Sequence, residues 1–193
     1  MPRQPRVFLP EVSMHVIHRG NNRMAIFQND EDCRMFLALV ARATTHHRVD
    51  VHGYVLMTTH VHLLVTPTSA CGLARAVKQF AGRYAQYYNV RYKRIGTLWN
   101  GRYGALHVDN DRYWLTCLRY IEQNPVRAGM CEKPEDYQWS SYSAHAYGEG
   151  AEWLVPHHCY LALGSTQGVR QVAYRAIAHE LVSSADIVPP HRN

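Results

Sequence analysis

The apolar positions of this chain fall into alternating or continuous runs of strand length and into stretches with helical spacing. Ser13 to Ile17 reads as a short strand. The polar stretch Arg19-Gly20-Asn21-Asn22-Arg23 after it predicts a turn or loop that exposes two arginines. Asn29 or Asp30 can cap a helix with Glu31 and Asp32 in its first turn, burying Phe36, Leu39, Val40 and Ala43 and ending near His46. Val49 to Met57 and Val61 to Thr66 read as two strands meeting at Thr58-Thr59, with Pro67 ending the second. Leu73 through Tyr88 sets Leu73, Val77, Phe80, Tyr84 and Tyr88 on one face and Arg75, Lys78, Gln79 and Gln86 on others, the signature of an amphipathic helix. Gly104 to Val108 predicts a fourth strand. Asp109, Asn110 or Asp111 can cap the helix that follows, which carries Trp114, Leu115, Leu118 and Tyr120 and is expected to end at Pro125, soon after Asn124.

The order is thus β-α-β-β-α-β followed by a helix. This is the ferredoxin-like split arrangement of the α+β class, and it predicts an antiparallel sheet with helices against one face. Beyond Gly129, Trp139-Ser140-Ser141-Tyr142 suggests an ordered segment, Gly148-Glu149-Gly150 a loop, and Ser165 to Leu181 a last helix. Ile187 to Asn193, with Pro189-Pro190, is expected to fray.

A length of 193 residues fits one domain of ordinary size with some peripheral structure. Lys and Arg total 21 against 15 acidic residues, a net charge of +6 with 13 histidines besides, so a polyanionic partner is expected. Charge alone is a weak signal, because many basic proteins never touch nucleic acid. The five cysteines, Cys33, Cys71, Cys117, Cys131 and Cys159, are odd in number and lack a C-x-x-C pair, which fits a reduced cytoplasmic interior. The basic N-terminus lacks the apolar core of a signal peptide, and the run Phe36 to Ala41 is far too short to cross a bilayer. No membrane association is expected.

Two segments carry chemistry. In Leu56-Met57-Thr58-Thr59-His60-Val61-His62-Leu63-Leu64-Val65, strand alternation points His60 and His62 to one face and Val61 to the other, so the two imidazoles can share a metal. In Arg119-Tyr120-Ile121-Glu122-Gln123-Asn124-Pro125-Val126-Arg127-Ala128-Gly129, Tyr120 and Asn124 are four apart on a helix and project side by side. A helix packed over that strand face would let two His nitrogens and an Asn oxygen hold a divalent cation next to a phenol. That constellation suits transesterification of a nucleic-acid phosphate. The bland readings are a solvent-facing His pair, a half-buried core tyrosine, and an asparagine that merely ends a helix before proline. His157-His158 and His46-His47 read as surface, since adjacent side chains diverge on regular structure. His15 and His18 cannot be given a shared face, and His107 could approach the site from the fourth strand, which the pattern alone does not establish.

HRGNNR at 18–23, MTTHVHLLV at 57–65, LWNGRY at 98–103, RYIEQNPVRAG at 119–129 and WSSYSAH at 139–145 resemble, in family order, the single-tyrosine transposases with a His-hydrophobic-His (HUH) motif. The likeness is to the REP-associated tyrosine transposase branch of the insertion sequence 200-like family, and it covers roughly residues 15–147. The resemblance implies Tyr120 as nucleophile, His60, His62 and Asn124 as metal ligands, and Mg2+ or Mn2+ as cofactor. It further implies cleavage and strand transfer of single-stranded DNA through a 5′-phosphotyrosine, with hairpin-forming repeats as targets. Thr58 stands where the family pattern often has proline, a change that touches the turn rather than the ligands.

On this reading residues 1–148 form the transposase domain and 149–193 a C-terminal extension, packed on the domain or trailing from it. Arg19, Asn21, Asn22 and Arg23, then Arg75 and Lys78, then Lys93, Arg94 and Arg102 are the basic and polar candidates for tracking phosphates. Tyr87, Tyr88, Tyr92, Trp99 and Tyr103 are interleaved with them as rings on which bases could stack. Monomer and homodimer both stay open. Two other functions compete: a domesticated hairpin-DNA-binding protein without turnover, and a metal-dependent nuclease that uses water.

Overall fold

The computed structural model describes residues 9–183 except 109, 151 and 181. Its centre is one four-stranded antiparallel sheet of order β2-β3-β1-β4, built from β1 (Ser13–Arg19), β2 (Val49–Met57), β3 (His60–Pro67) and β4 (Gly104–Val108). The helices are α1 (Asp30–His46), α2 (Gly72–Arg91), α3 (Asp111–Glu122), α4 (Asn124–Arg127), α5 (Tyr142–Tyr147), α6 (His158–Leu161) and α7 (Gln167–Ala178), with single 3-10 turns at Asn21–Arg23 and Pro134–Asp136. The ferredoxin-like order is therefore as expected. Asn29 caps α1, its side-chain oxygen accepting from the amides of Glu31 and Asp32, and Asn110 caps α3 by accepting from the Tyr113 amide. The alternative cap Asp109, the end of the predicted last helix at Leu181, and Ile187–Asn193 lie outside the described residues.

Both faces of the sheet are covered, not one. Met14, Val16, Val51, Leu56, Val61, Leu63 and Val65 pack against α1 and α2, through Phe36, Val40, Leu73, Val77, Phe80 and Tyr84. Val55, Met57, Leu64 and Val108 form a second core with Trp114, Cys117, Leu118 and Ile121 of α3, Tyr142 and Ala146 of α5, Cys159 and Tyr160 of α6, and Tyr174 and Ala178 of α7. Two-sided burial explains why β3 is buried at every residue after His60 and why its apolar run Leu63-Leu64-Val65 does not alternate. The second layer comes largely from residues past 140, where no strong periodicity announces it.

Pro125 does not simply terminate α3. The helix ends at Glu122 and a short turn, α4, restarts at Asn124 with Pro125 in its first positions, where a missing N–H costs nothing. The Gln123 amide still bonds the Arg119 carbonyl, so the chain direction is preserved through the junction.

Two contacts set α3 on the sheet. A Cβ at Gly53 of β2 would lie 2.4 Å from Leu118 Cδ1, so the bare glycine lets this Leu118 rotamer pack directly on the strand, and a larger residue would turn it aside. Glu122, 1% exposed, accepts at Oε1 from Ser141 Oγ (2.5 Å) and lies 2.7 Å from His145 Nδ1, and its Oε2 accepts from Tyr174 Oη (2.5 Å). Gln123 extends the clamp, donating to the Ala178 and Glu180 carbonyls and accepting from the Val182 amide. Glu122→Ala strips the shared acceptor from three buried partners and is expected to destabilise the fold by about 3–5 kcal/mol. Tyr174→Phe, which removes one donor, is expected to cost about 2 kcal/mol. Urea denaturation monitored by circular dichroism checks both, and equal losses in the two variants would contradict the shared-acceptor arrangement.

Candidate active site

The β1–β3 register sets Ile17 opposite His62 and Arg19 opposite His60, and the β2–β3 register sets Val55 and Met57 opposite the same two histidines. Alternation turns Val61 and Leu63 into the α1/α2 layer and leaves His60 and His62 on the face that α3 covers. The imidazoles lie with ring centroids 5.0 Å apart. The Tyr120 ring, half-buried on α3, stands edge-on to His62 at 6.2 Å. Asn124 Nδ2 donates to the carbonyl of Tyr120 (2.9 Å) and more weakly to that of Ile121 (3.3 Å). Carbonyls only accept, so the amide nitrogen must face them, and the Asn124 oxygen is the end left for another partner. The fold thus brings Tyr120 onto the face of the His60–His62 pair, with Asn124 bonded back to the Tyr120 carbonyl.

His15, which could not be placed from sequence, belongs to this group. It lies two residues along β1 from Ile17, hence on the same face and diagonal to His62. Its Nε2 sits 2.8 Å from His62 Nδ1, and its ring is 6.2 Å from that of Tyr120. The signal that identifies it is strand pairing, which a single strand's pattern does not contain. Burial lowers the His15 imidazole to about 4. Burial, then the Arg19 charge, lowers His60 to about 4, and burial followed by His15, His60, Arg19 and Arg127 holds His62 well below its ordinary range. All three rings are neutral at neutral pH, the state that a metal ligand requires.

The donor set fits a divalent cation. His62 Nε2 is buried without a hydrogen-bond partner, a loss of about 1–3 kcal/mol for an isolated polar group that a bound cation removes. A cation on the His62 Nε2 lone pair would set the His62 proton on Nδ1, donated to His15 Nε2, and the His15 proton on its own Nδ1, which is likewise buried without a partner. Thr59 Oγ1 lies 3.1 Å from His60 Nδ1 and holds that ring from behind, leaving its other nitrogen for a cation. Two imidazoles and an amide oxygen match several divalent metals without selecting one.

The basic candidates do not form one patch. Arg19 ends β1 opposite His60, and the turn Asn21–Arg23 is held at the same end of the sheet because the Gly20 amide donates to the Thr59 carbonyl (2.8 Å). Gly20 is needed there, since a Cβ would come within 2.5 Å of the Met24 carbonyl oxygen. Arg127, near Tyr120 in sequence, is also near in space, with its guanidinium 4.2 Å from the ring centroid, whereas Arg119 points away to Glu180. Arg75 and Lys78 line a cleft of about 420 Å³ on α2 with Arg83. Lys78 and Arg102 line a second cleft of about 450 Å³ with His18. Lys93 and Arg94 follow the far end of α2, with Arg94 over the Tyr88 ring.

The interleaved aromatics are mostly committed elsewhere. Tyr88, Trp99 and Tyr103 are buried, and the Tyr87 and Tyr92 hydroxyls donate to Asp32. His107 pairs with Met14 and so belongs to the opposite face of the sheet from His62. His157 and His158, read as diverging, converge instead, with ring centroids 4.1 Å apart. His157 is an N-cap with extended backbone and not part of a regular helix, so the rule for adjacent helical residues does not reach it.

Residues 9–124 match the family model described as "Transposase IS200 like". Among solved structures, the chain is similar to a REP-associated tyrosine transposase bound to a REP hairpin, at 15% identity and a TM-score of 0.60, over 81% of this chain and 93% of that one. Weaker likenesses, which carry no argument about the fold, are to a protein assigned as a transposase from Deinococcus radiodurans R1 (18% identity, TM-score 0.43, 67% and 92% covered) and to tRNA(His) guanylyltransferase from Saccharomyces cerevisiae (13%, 0.42, 91% and 81%). No curated protein matches the chain. The matched residues hold all four strands, the histidine pair, the Tyr120 helix and Asn124 at the start of α4, and on that span the chain belongs to the IS200-like transposase family.

Proposed function

We propose that the protein cleaves and rejoins single-stranded DNA by transesterification at Tyr120, acting on hairpin-forming repeats in DNA transposition. The observation that carries this reading is the buried, unpartnered Nε2 of His62 on the sheet face that Tyr120 covers, with the Asn124 amide oriented by Tyr120's own carbonyl. The REP hairpin bound by the structurally similar transposase supports the choice of substrate.

His60, His62 and Asn124 would hold a divalent cation, magnesium or manganese by the family resemblance, which would neutralise charge developing on the scissile phosphate. Tyr120 Oη gives up its proton to solvent as it bonds to phosphorus, the bond from phosphorus to the 3′ oxygen breaks, and that oxygen takes a proton from solvent to leave as a 3′-hydroxyl. The product is a 5′-phosphotyrosine diester. Attack by another 3′-hydroxyl reverses the chemistry and frees Tyr120 without a nucleotide cofactor. Cation–π contact with Arg127 holds the Tyr120 ring and adds positive charge beside it. Arg19 and the Asn21–Arg23 turn, at the His60 end of the sheet, support a backbone path for DNA entering the site.

Incubation with labelled hairpin oligonucleotides and Mg2+ or Mn2+, followed by denaturing electrophoresis, tests the reading. A metal-dependent covalent adduct is expected from the wild type and none from Tyr120→Phe. Cleavage without an adduct in both proteins would point to a water-using nuclease, and a native-gel shift without cleavage to a binding protein. Asn124→Ala is expected to lower the rate of adduct formation at least tenfold at subsaturating metal, and to recover partly at high metal.

His15→Leu tests the positioning of His62. Loss of the acceptor at Nδ1 is expected to weaken Mn2+ binding about 10- to 100-fold by calorimetry and to shift the His62 tautomer seen by nitrogen-15 NMR, with the circular dichroism spectrum retained. Unchanged affinity would mean that His62 keeps its tautomer without His15.

A further inference from the structure

A second group of ligating side chains lies where α6 meets the start of α3. His158 Nε2 is 3.0 Å from Asp111 Oδ1 and 3.5 Å from Cys159 Sγ. One donor atom each of His157, His158 and Cys159 falls within 4.8 Å of the others. Ligands around one tetrahedral ion stand at about such separations when metal–donor distances are roughly 2.0–2.3 Å. The sulfur is buried, while His158 and Asp111 are exposed, so the cluster has a closed floor and an open entrance. The entrance is a cleft of about 170 Å³ bordered by Ser13, Asn110, Asp111, Trp114, His157 and His158.

The floor is rigid. The His157 ring stacks on Trp114 with centroids 4.2 Å apart and planes 8° from parallel, and Trp114 Nε1 donates to Ser13 Oγ. Asp111 is nine residues before Tyr120 on α3, roughly 13 Å along the helix axis at about 1.5 Å per residue. The cluster is therefore separate from the His60–His62 pair.

We propose that His157, His158 and Cys159 form a second metal site, selective for a borderline transition cation of the Zn2+ type, with the Asp111 carboxylate beside His158 closing it and stapling α6 to the first turn of the Tyr120-bearing helix. A thiolate and imidazoles with one carboxylate suit zinc or cobalt(II) and disfavour magnesium, in contrast to the nitrogen and oxygen donors beside Tyr120. The Cys159 thiol releases its proton to solvent as the sulfur–metal bond forms. Burial, then the Asp111 carboxylate, pushes this thiol up to about 12 in the metal-free protein, so a cation must displace the proton. A neutral imidazole has one lone pair, so His157 gives up the hydrogen bond that its Nδ1 accepts from the Cys159 amide whichever ring nitrogen ligates.

Cobalt(II) titration of the full-length protein, freed of metal by chelator, is the test. A thiolate-to-cobalt charge-transfer band with intense tetrahedral visible bands is expected, retained in the His60→Ala/His62→Ala double variant and abolished by Cys159→Ser. Because Cys159 is buried, His158→Ala on the exposed ring serves as the second variant. It is expected to weaken cobalt binding at least tenfold and to remove the zinc-dependent rise in Tm, with the metal-free Tm unchanged. Absence of the charge-transfer band, or its persistence in both Cys159→Ser and His158→Ala, would overturn the site.

Discussion

A carboxylate buried in an apolar layer must be met by donors, and at Glu122 two separate pieces of chain meet it: α5 with its cap, through His145 and Ser141, and α7, through Tyr174. Ser141 also accepts from the Tyr54 amide of β2 through its hydroxyl, so the same network is tied to the sheet. Glu122 is two residues past Tyr120 and two before Asn124. Any rotation of α3 that moved Tyr120 would pull Glu122 out of a position where leaving its partners unsatisfied is costly. Close packing of Leu118 on Gly53 sets the height of the same helix. Together these contacts fix both the depth and the azimuth of the side chains that face His60 and His62.

This places the stretch beyond residue 140 in a supporting role for the site. Its residues touch neither His60 nor His62 through any described hydrogen bond, yet they hold the helix that does the facing. Preorganisation of this kind matters because reacting groups misplaced by about an ångström lose much of their advantage. The rigid second layer keeps the Tyr120 ring edge-on to the imidazoles, and the Arg127 guanidinium holds it from the other side.

The electrostatics divide in the same way. Burial keeps the His15, His60 and His62 rings uncharged, while fixed positive charge from Arg19 and Arg127 surrounds them. For the chemistry proposed above, neutral imidazoles within a positive rim suit a phosphate and a cation arriving together. The overall charge of +6 is then a weak reporter of a local arrangement. Arg91 and Arg119 are committed to Glu31 and Glu180, so their charge is balanced where it stands.

Much of the fold could be read from local pattern. Strand alternation assigned His60 and His62 to one face, helical spacing set Tyr120 beside Asn124, and the element order implied the sheet topology, because each depends on neighbours within a few residues. What depended on residues distant along the chain was hidden. His15 joins His62 only through the β1–β3 register, the second helical layer exists only because Glu122 and Leu118 find partners about 20 to 65 residues away, and His157 and His158 converge only because His157 leaves regular geometry to cap α6. Periodicity encodes which face a residue occupies on its own element. It carries no term for the element that will cover that face, and that pairing is decided by shape, buried polar satisfaction and strand register in the folded chain.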